Sequence, residues 1–496
     1  MNLHYRMKTY GVDTGIAPLN RLLKQACITF SCLSVLFCPS LAFATGAFTF
    51  SAYGPNNVVV GNDIYIEEAS TMTTDTGDYS YYYVDGLPAG ATASWPSILT
   101  SCCPGLQFNP PLFTNRGWRP SNQLLDINVP LTVTPGTYNL TLRLQSGGIT
   151  QTLPYKLNVN AVPKPLLKQV ISSIPPIPSL STWQSQMTSF GKTYCNPTNI
   201  ASQGTWDGNL WFYDGIRVYF QIADYTQDTS WNDCAGYVES VYKTYVLSTP
   251  GIQGYFVFPH GLYQAYLRNN QDIDAKTAAL ALATLSAYAK VSGGVNDTND
   301  DTPLRETAYL VNTYRIAGYL GSPNATLYAR AVNFLLGALD QEFVSKTNTF
   351  HKPFMTGLAM EALIQYYQDS NDPRVPPAIK AAADWLWANA TMPDPLDPTG
   401  KSTTFYYQST DNPLVASPDL NLLIAPAYAW LYKLTGNPAY QQEGDALFQD
   451  GVNYACLKCD GKHFIQNYRW SFDYVNWRTL PDIIPPLPPT LLKIIN

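Results

Sequence analysis

Three histidines lie beyond residue 44, and each stands at the mouth of a helical run. They fall in "VFPHGLYQAY" (His260), "NTFHKPFMTGL" (His351) and "KHFIQNYRWSFDY" (His463). Three further segments, "TWDGNLWFYDG", "DDTPLRETAY" and "SPDLNLLIAPAY", open helical runs in the same manner. Together they put Asp207, Arg305, Glu306, Lys352, Asp419, Asn467, Tyr468 and Arg469 at the same kind of address. Imidazole, carboxyl, phenol and guanidinium groups are the parts of acid–base chemistry and of anion stabilisation. Hydrolysis of a glycosidic bond needs two carboxyls facing across it, one protonated and one acting as base or nucleophile. Asp207 and Glu306 are the best pair for that, with Asp214 and Asp419 as substitutes. Elimination beside a uronate carboxylate needs a cation or amide to neutralise it and a Tyr or His to take the C5 proton. "HFIQNYRW" offers His463, Asn467, Tyr468 and Arg469 for that role, and His260 with Tyr263 offers a second set. The expected catalytic groups are therefore Asp207, Glu306, His260, His351, His463 and Tyr468. Substrate binding is expected from Trp206, Trp211, Tyr263, Arg305, Lys352, Asp419, Asn467, Arg469 and Trp470, the aromatics serving as sugar-stacking platforms.

Each of these residues also has a structural role to weigh. A histidine at a helix entrance serves as a cap or a packing residue. Glu306 follows Pro303 in a first turn, where the helix dipole favours a carboxylate and Thr302 can cap. Asp207 suits an N-cap, Asp214 pairs with Arg217 three residues on, and the aromatics suit a core. No metal or cofactor is expected. "CLKCDGKH" supplies Cys456, Cys459 and His463 without a second ligand pair, and export favours a disulfide there. "DTNDDT" (297–302) starts like a calcium loop but has Thr302 in place of Gly and Ala308 in place of Glu.

The elements that position these groups show in a recurring unit after residue 180. A Tyr-rich helix, a tight polar turn and an Ala-rich helix repeat around turns at 224–231, 268–274, 319–326, 367–374 and 433–440. Short turns force antiparallel hairpins, of which five are clear. A sixth would combine 181–195 with a helix after Asn467 and close a ring across the termini. The connections between hairpins are long, so they should share one end of the ring and converge on one cleft. Phrases such as "YDGIRVYFQIADYTQDTSW" and "AYAWLYKLTGNPAYQQEGDALFQDG" resemble the hairpins of the (α/α)6 toroid superfamily. That superfamily comprises the six-hairpin glycosidases and several polysaccharide lyases. The resemblance covers about 200–480 and implies architecture more than activity.

Residues 45–160 alternate or carry β-branched and aromatic runs broken by Gly, Pro and Asn. Their close, "VPLTVTPGTYNLTLRLQSGG", resembles the final hairpin of bacterial immunoglobulin-like domains. The expected fold is multidomain β plus α: an Ig-like β-sandwich (45–160), a Pro-rich linker (161–180) and an (α/α)5–6 toroid (181–496). A sandwich before a toroid also resembles some bacterial endoglucanases, but their aspartate-rich nucleophile motif is missing, so cellulase activity does not carry over. Residues 1–44 read as a signal peptide: basic, then apolar, ending in Ala42-Phe43-Ala44. An exported protein, periplasmic or extracellular, with no membrane span after the leader is expected.

The leader holds four basic residues and one acidic one, so the whole-chain charge of −6 becomes −9 without it. That acidity argues against nucleic acid as partner. Six cysteines remain, with 195–234, 102–103 and 456–459 as expected pairs. The expected partner is a polysaccharide or oligosaccharide, cleaved by hydrolysis in preference to elimination because toroids behind a sandwich more often resemble hydrolases. The alternatives are a lyase or uronate epimerase acting on an acidic glycan, and a non-catalytic envelope protein binding glycan or protein.

Overall fold

Ile64 and Ile66, Leu125 and Ile127, Leu140 and Leu142, and Leu157 and Val159 stand two residues apart, so each pair turns to one face of a strand. In the computed structural model these side chains form one buried cluster between two sheets. The structure describes residues 48–54, 56–72, 80–95, 112–113, 121–146, 149–169, 174–202, 209–269, 271–286 and 302–479. The expected leader, Trp206, Asp207, the 102–103 cysteine pair and the loop at 297–301 lie outside them.

The strands are β1 (Phe48–Tyr53), β2 (Asn57–Val59), β3 (Asn62–Met72), β4 (Ser80–Asp85) and β5 (Thr92–Ser94). They continue as β6 (Leu112–Phe113), β7 (Ser121–Val129), β8 (Gly136–Ser146) and β9 (Ile149–Asn160). One sheet has the order β1-β3-β7-β5 and the other β2-β9-β8-β4-β6. The longest pairing is the antiparallel hairpin β8–β9, from Gly136 opposite Val159 to Ser146 opposite Ile149.

The remainder is helical: α1 (Leu180–Tyr194), α2 (Pro197–Ser202), α3 (Gly215–Thr226), α4 (Trp231–Ser248) and α5 (Pro259–Arg268). Next come α6 (Ile273–Leu285), α7 (Thr302–Tyr319), α8 (Ala325–Leu339), α9 (Pro353–Ser370) and α10 (Val375–Ala390). After a small hairpin of β10 (Thr391–Pro393) and β11 (Thr403–Phe405) follow α11 (Ala425–Thr435), α12 (Pro438–Tyr454), α13 (Gly461–Tyr468) and α14 (Ser471–Thr479). The five polar turns separate α3 from α4, α5 from α6, α7 from α8, α9 from α10 and α11 from α12.

The first helices of these hairpins pack in succession, α3 on α5, α5 on α7, α7 on α9 and α9 on α11, and α11 packs on α14. Helix α9 is buried continuously from Pro353 to Gln365, as a helix surrounded by others must be. Across the termini, α1 meets α14 where the Trp183 indole N–H donates to Ser471 Oγ at 3.1 Å. Disulfides join Cys195 to Cys234 and Cys456 to Cys459. No helix among the described residues is long and apolar enough to cross a membrane.

The sheets rest on α8: the Asn333 amide donates to Asp63 O at 2.9 Å, and Arg330 lies 5.2 Å over the Tyr65 ring. A cavity of about 440 Å³ remains at this junction. Its polar side chains engage one another, Arg374 with Asn333 and Asn57 with Asp340.

One buried pair beside this region sets a pH dependence. Glu342 and His351 approach to 3.6 Å, and His351 lies 4.1 Å from the Trp385 ring. Burial pushes the Glu342 carboxyl up to about 8 and the His351 imidazole down to about 4. Because Glu342's value is raised on folding, its contribution is complete below its usual 4.5 and is lost as pH rises towards 8. The expected loss approaches about 1.4 kcal/mol per pH unit across that window. Between about pH 5 and 6.5 the lowered His351 imidazole offsets that loss, so urea midpoints should fall for the wild type chiefly from about pH 6.5 to pH 8 and stay flatter there for Glu342→Gln. Identical slopes in the two proteins would exclude Glu342 as the responsible group.

Candidate active site

The entrances of the first helices meet on a cavity of about 500 Å³. Phe212 and Tyr213 reach it from the turn before α3, Tyr255 from the loop before α5, and Arg305 from the first turn of α7. Phe354 of α9 and Tyr407 form an aromatic wall, their rings 5.7 Å apart. Asp419 closes a further side from a short 3-10 turn, Pro418–Leu423. Lys462, His463 and Gln466 complete it from α13.

The geometry around His463 is set locally. The Cys456–Cys459 disulfide closes a tight turn just before Asp460, which caps α13 by accepting the His463 N–H at 2.9 Å. The same carboxylate lies 2.7 Å from His463 Nδ1. A carboxylate only accepts, so Nδ1 carries the proton and Nε2 turns towards Asp419, 3.8 Å away.

Arg305 donates to Glu306 Oε1 through Nε at 3.0 Å and Nη2 at 2.6 Å, and its guanidinium lies 5.3 Å from the Tyr255 ring. Lys462 lies 5.1 Å over the Phe212 ring. Burial pushes the Tyr213 phenol up to about 12, an effect that the nearby Arg305 and Arg469 guanidiniums moderate. At neutral pH Tyr213 is therefore a proton donor. Asp419 is the one carboxylate on the cavity among the described lining residues, alongside Lys462 and an Arg305 that is already paired with Glu306.

Of the residues singled out from sequence, Arg305, Asp419 and His463 line this cavity. Glu306 is buried behind Arg305 in the ion pair. Lys352 lies at its margin, 5.5 Å from the Tyr407 ring. Asn467 is buried, its amide donating to His463 O at 2.8 Å. The others are elsewhere, for identifiable reasons. Tyr468 is turned into the core, its hydroxyl donating to Trp183 O at 2.8 Å. Trp211 stacks on Tyr242 and Tyr245, and Trp470 packs edge-on to Trp477. His351 is taken up by Phe343 and Trp385. His260 lies 2.8 Å from Gln365 Oε1, and burial beside Arg217 holds it well below its usual value. Tyr263 packs near Tyr319. Arg469 lies beneath the cavity, donating to Glu361 at 2.9 Å.

Sequence reasoning passed over Tyr213, Lys462 and Gln466. The "CDGKH" turn carried a signal for the second, since Lys462 stands in the same first turn as His463. Tyr213 carried none, because its place on the cavity comes from a left-handed backbone that its residue type does not suggest.

No family model matches the sequence, and no curated protein does. Solved structures that it matches include an Escherichia coli alpha-2-macroglobulin fragment running from domain MG7 to the C-terminus. That match has a TM-score of 0.24 and 12% identity over 86% of this chain and 66% of that one. Another is a family 123 glycoside hydrolase from Clostridium perfringens, with a TM-score of 0.15 and 11% identity over 29% of this chain and 32% of that one. The chain thus spans less than two thirds of either structure, and likenesses of this size carry no argument about fold or activity.

Proposed function

We propose that this chain is an exported glycan-cleaving enzyme acting on a uronate-containing polysaccharide by β-elimination. On this reading residues 45–160 are an Ig-like sandwich, 161–180 a linker, and 181–496 an (α/α)6 toroid of the type seen in six-hairpin glycosidases and polysaccharide lyases. The succession of first helices, closed across the termini by α1 and α14, supports the toroid. The observation that carries the chemistry is the lining of the cavity: a carboxylate-oriented imidazole and a phenol stand with two cations and a single described carboxylate.

Arg305 and Lys462 receive the uronate carboxylate and lower the cost of the enolate-like charge that develops there, while Gln466 holds Asp419 through its amide, 2.6 Å from Asp419 O. His463 Nε2 takes the C5 proton. The C4–O bond then breaks, a C4–C5 double bond forms, and Tyr213 gives its proton to the departing sugar oxygen. Phe354, Tyr407 and Tyr255 offer rings for the sugar faces. Hydrolysis is the less supported reading, because Glu306 is held by Arg305 and Asp214 by backbone amides.

The test is a panel of neutral and uronate-containing glycans incubated with the mature protein. Reducing ends and unsaturated-product absorbance are followed together. Both signals on uronate glycans are expected. Reducing ends without new absorbance mean hydrolysis, and silence across the panel with binding retained leaves a glycan-binding protein.

A further inference from the structure

Two consecutive non-glycine residues at the cavity have left-handed backbones, Tyr213 with φ 60° and Asp214 with φ 74°. Such a pair is costly for residues with side chains and persists only where the surroundings over-determine it. Asp214 N donates to Trp211 O at 3.1 Å, and Gly215 sits so close to Leu210 O that a Cβ there would meet it at 2.0 Å. The Asp214 carboxylate is 1% exposed, yet it is well supplied with donors. It caps α3 by accepting the Arg217 N–H at 3.3 Å. It also accepts the Gly261 N–H, 3.1 Å from both oxygens, at the open first turn of α5. A Cβ on Gly261 would meet Asp214 Oδ1 at 2.4 Å, so only glycine admits this approach. One carboxylate thus ties the entrances of two neighbouring helices at the point where the chain turns Tyr213 towards the cavity.

We propose that Asp214 is the positioning residue of the site, holding through the Arg217 and Gly261 amides the left-handed turn that aims the Tyr213 ring into the cavity. The inference rests on the reading of this cavity as a glycan-cleaving site, but its geometry can be examined without any substrate. Tyr213 is 4% exposed in this turn. Release of the turn lets the ring swing out and its phenol return from about 12 towards the ordinary 10, raising its reactive phenolate fraction tenfold or more, on the order of one decade per unit.

Limited nitration with tetranitromethane, read at the Tyr213 peptide by mass spectrometry, follows this directly. Asp214→Ala, which removes the acceptor of both amides, should nitrate Tyr213 about tenfold faster than wild type, with other tyrosines unchanged. Asp214→Ser keeps an α3 cap but lacks the reach to Gly261, and gives the same readout should Asp214→Ala fail to fold. On an active glycan, Asp214→Ala should lower kcat by about 10- to 100-fold with KM little changed. In a Tyr213→Phe background it should cost nothing further, whereas a merely structural role would give additive losses. An unchanged nitration rate in the folded variant overturns the inference, as does additivity in the cycle. Faster nitration in a protein that cleaves no glycan supports the positioning role and sinks the lyase reading alone.

Discussion

On the proposed lyase reading, glycan cleavage by a His463→Gln variant should fall about 100- to 10,000-fold in kcat, the range that a positioned general base contributes. His463 holds its place through two contacts to Asp460, one from its backbone N–H and one at Nδ1. Glutamine keeps the backbone contact and the helix while removing the basic nitrogen. Arg305 and Lys462 are left in place, so KM should change far less than kcat. Asp460→Asn offers a graded companion: it leaves an acceptor for the cap but weakens the hold on the Nδ1 proton, and its loss should be smaller. Steady-state rates of unsaturated-product formation provide the measurement. A kcat within about threefold of wild type for His463→Gln would remove His463 from the base role, since no base of this class contributes so little.

Exchanging Glu361 for glutamine should cost the helical part about 3–5 kcal/mol, the largest stability effect anticipated here. Glu361 is fully buried on α9 and receives Arg217 Nη1 at 2.5 Å and Arg469 Nε at 2.9 Å. Burial alone would raise its carboxyl, but Arg469 and Arg217 outweigh that and hold it below the usual range. Glutamine leaves both guanidiniums buried without their counter-charge. Among the described residues Arg217 keeps a longer approach to Asp473, at 3.7 Å, and both arginines keep the charge of the nearby Asp214. The depressed value also fixes a sign. Glu361 stabilises fully above its usual 4.5, and the contribution is lost as pH falls through the folded value. The variant should therefore show a lower urea midpoint at neutral pH and a weaker acid-side decline. A cost under about 1 kcal/mol would show that the two arginines find solvent when the carboxylate is removed.

Much of the scaffold was legible because it rests on local periodicity. The alternation of Ile64 and Ile66 or Leu140 and Leu142 needs only the two-residue repeat of a strand. Turns such as "GSPN" and "TGNP" announce themselves through residues that stop helices. Two of the expected disulfides are present, and the spacing that suggested Cys456–Cys459 is the one that closes the turn before Asp460. The placing of helix entrances at one end follows from short turns at the other, with no knowledge of packing required.

Individual side chains were harder to read. His351 and His463 occupy equivalent places along the chain, yet one lies between Phe343 and Trp385 and the other on the cavity. The difference lies in Trp385 and Asp460, one a distant partner and one an adjacent residue. Arg305 and Glu306 are neighbours in sequence, and successive helical residues point about 100° apart, so one reaches the cavity and the other the interior. Tyr468 and Trp470, in the richest stretch of candidate chemistry, point into the core against Trp183 and Trp477.

What the sequence determined by itself was the order of strands and hairpins and the end of the helices at which polar groups collect. Both are consequences of short-range rules: residue period, turn composition and chain direction. Only the tertiary structure decided which of those polar groups share a cavity and which are spent on packing. That choice depends on the rotation of each helix about its own axis, and on contacts such as Asp214 with Gly261 or Glu361 with Arg469. Residues far apart in the chain fix those rotations, and no single segment carries the information.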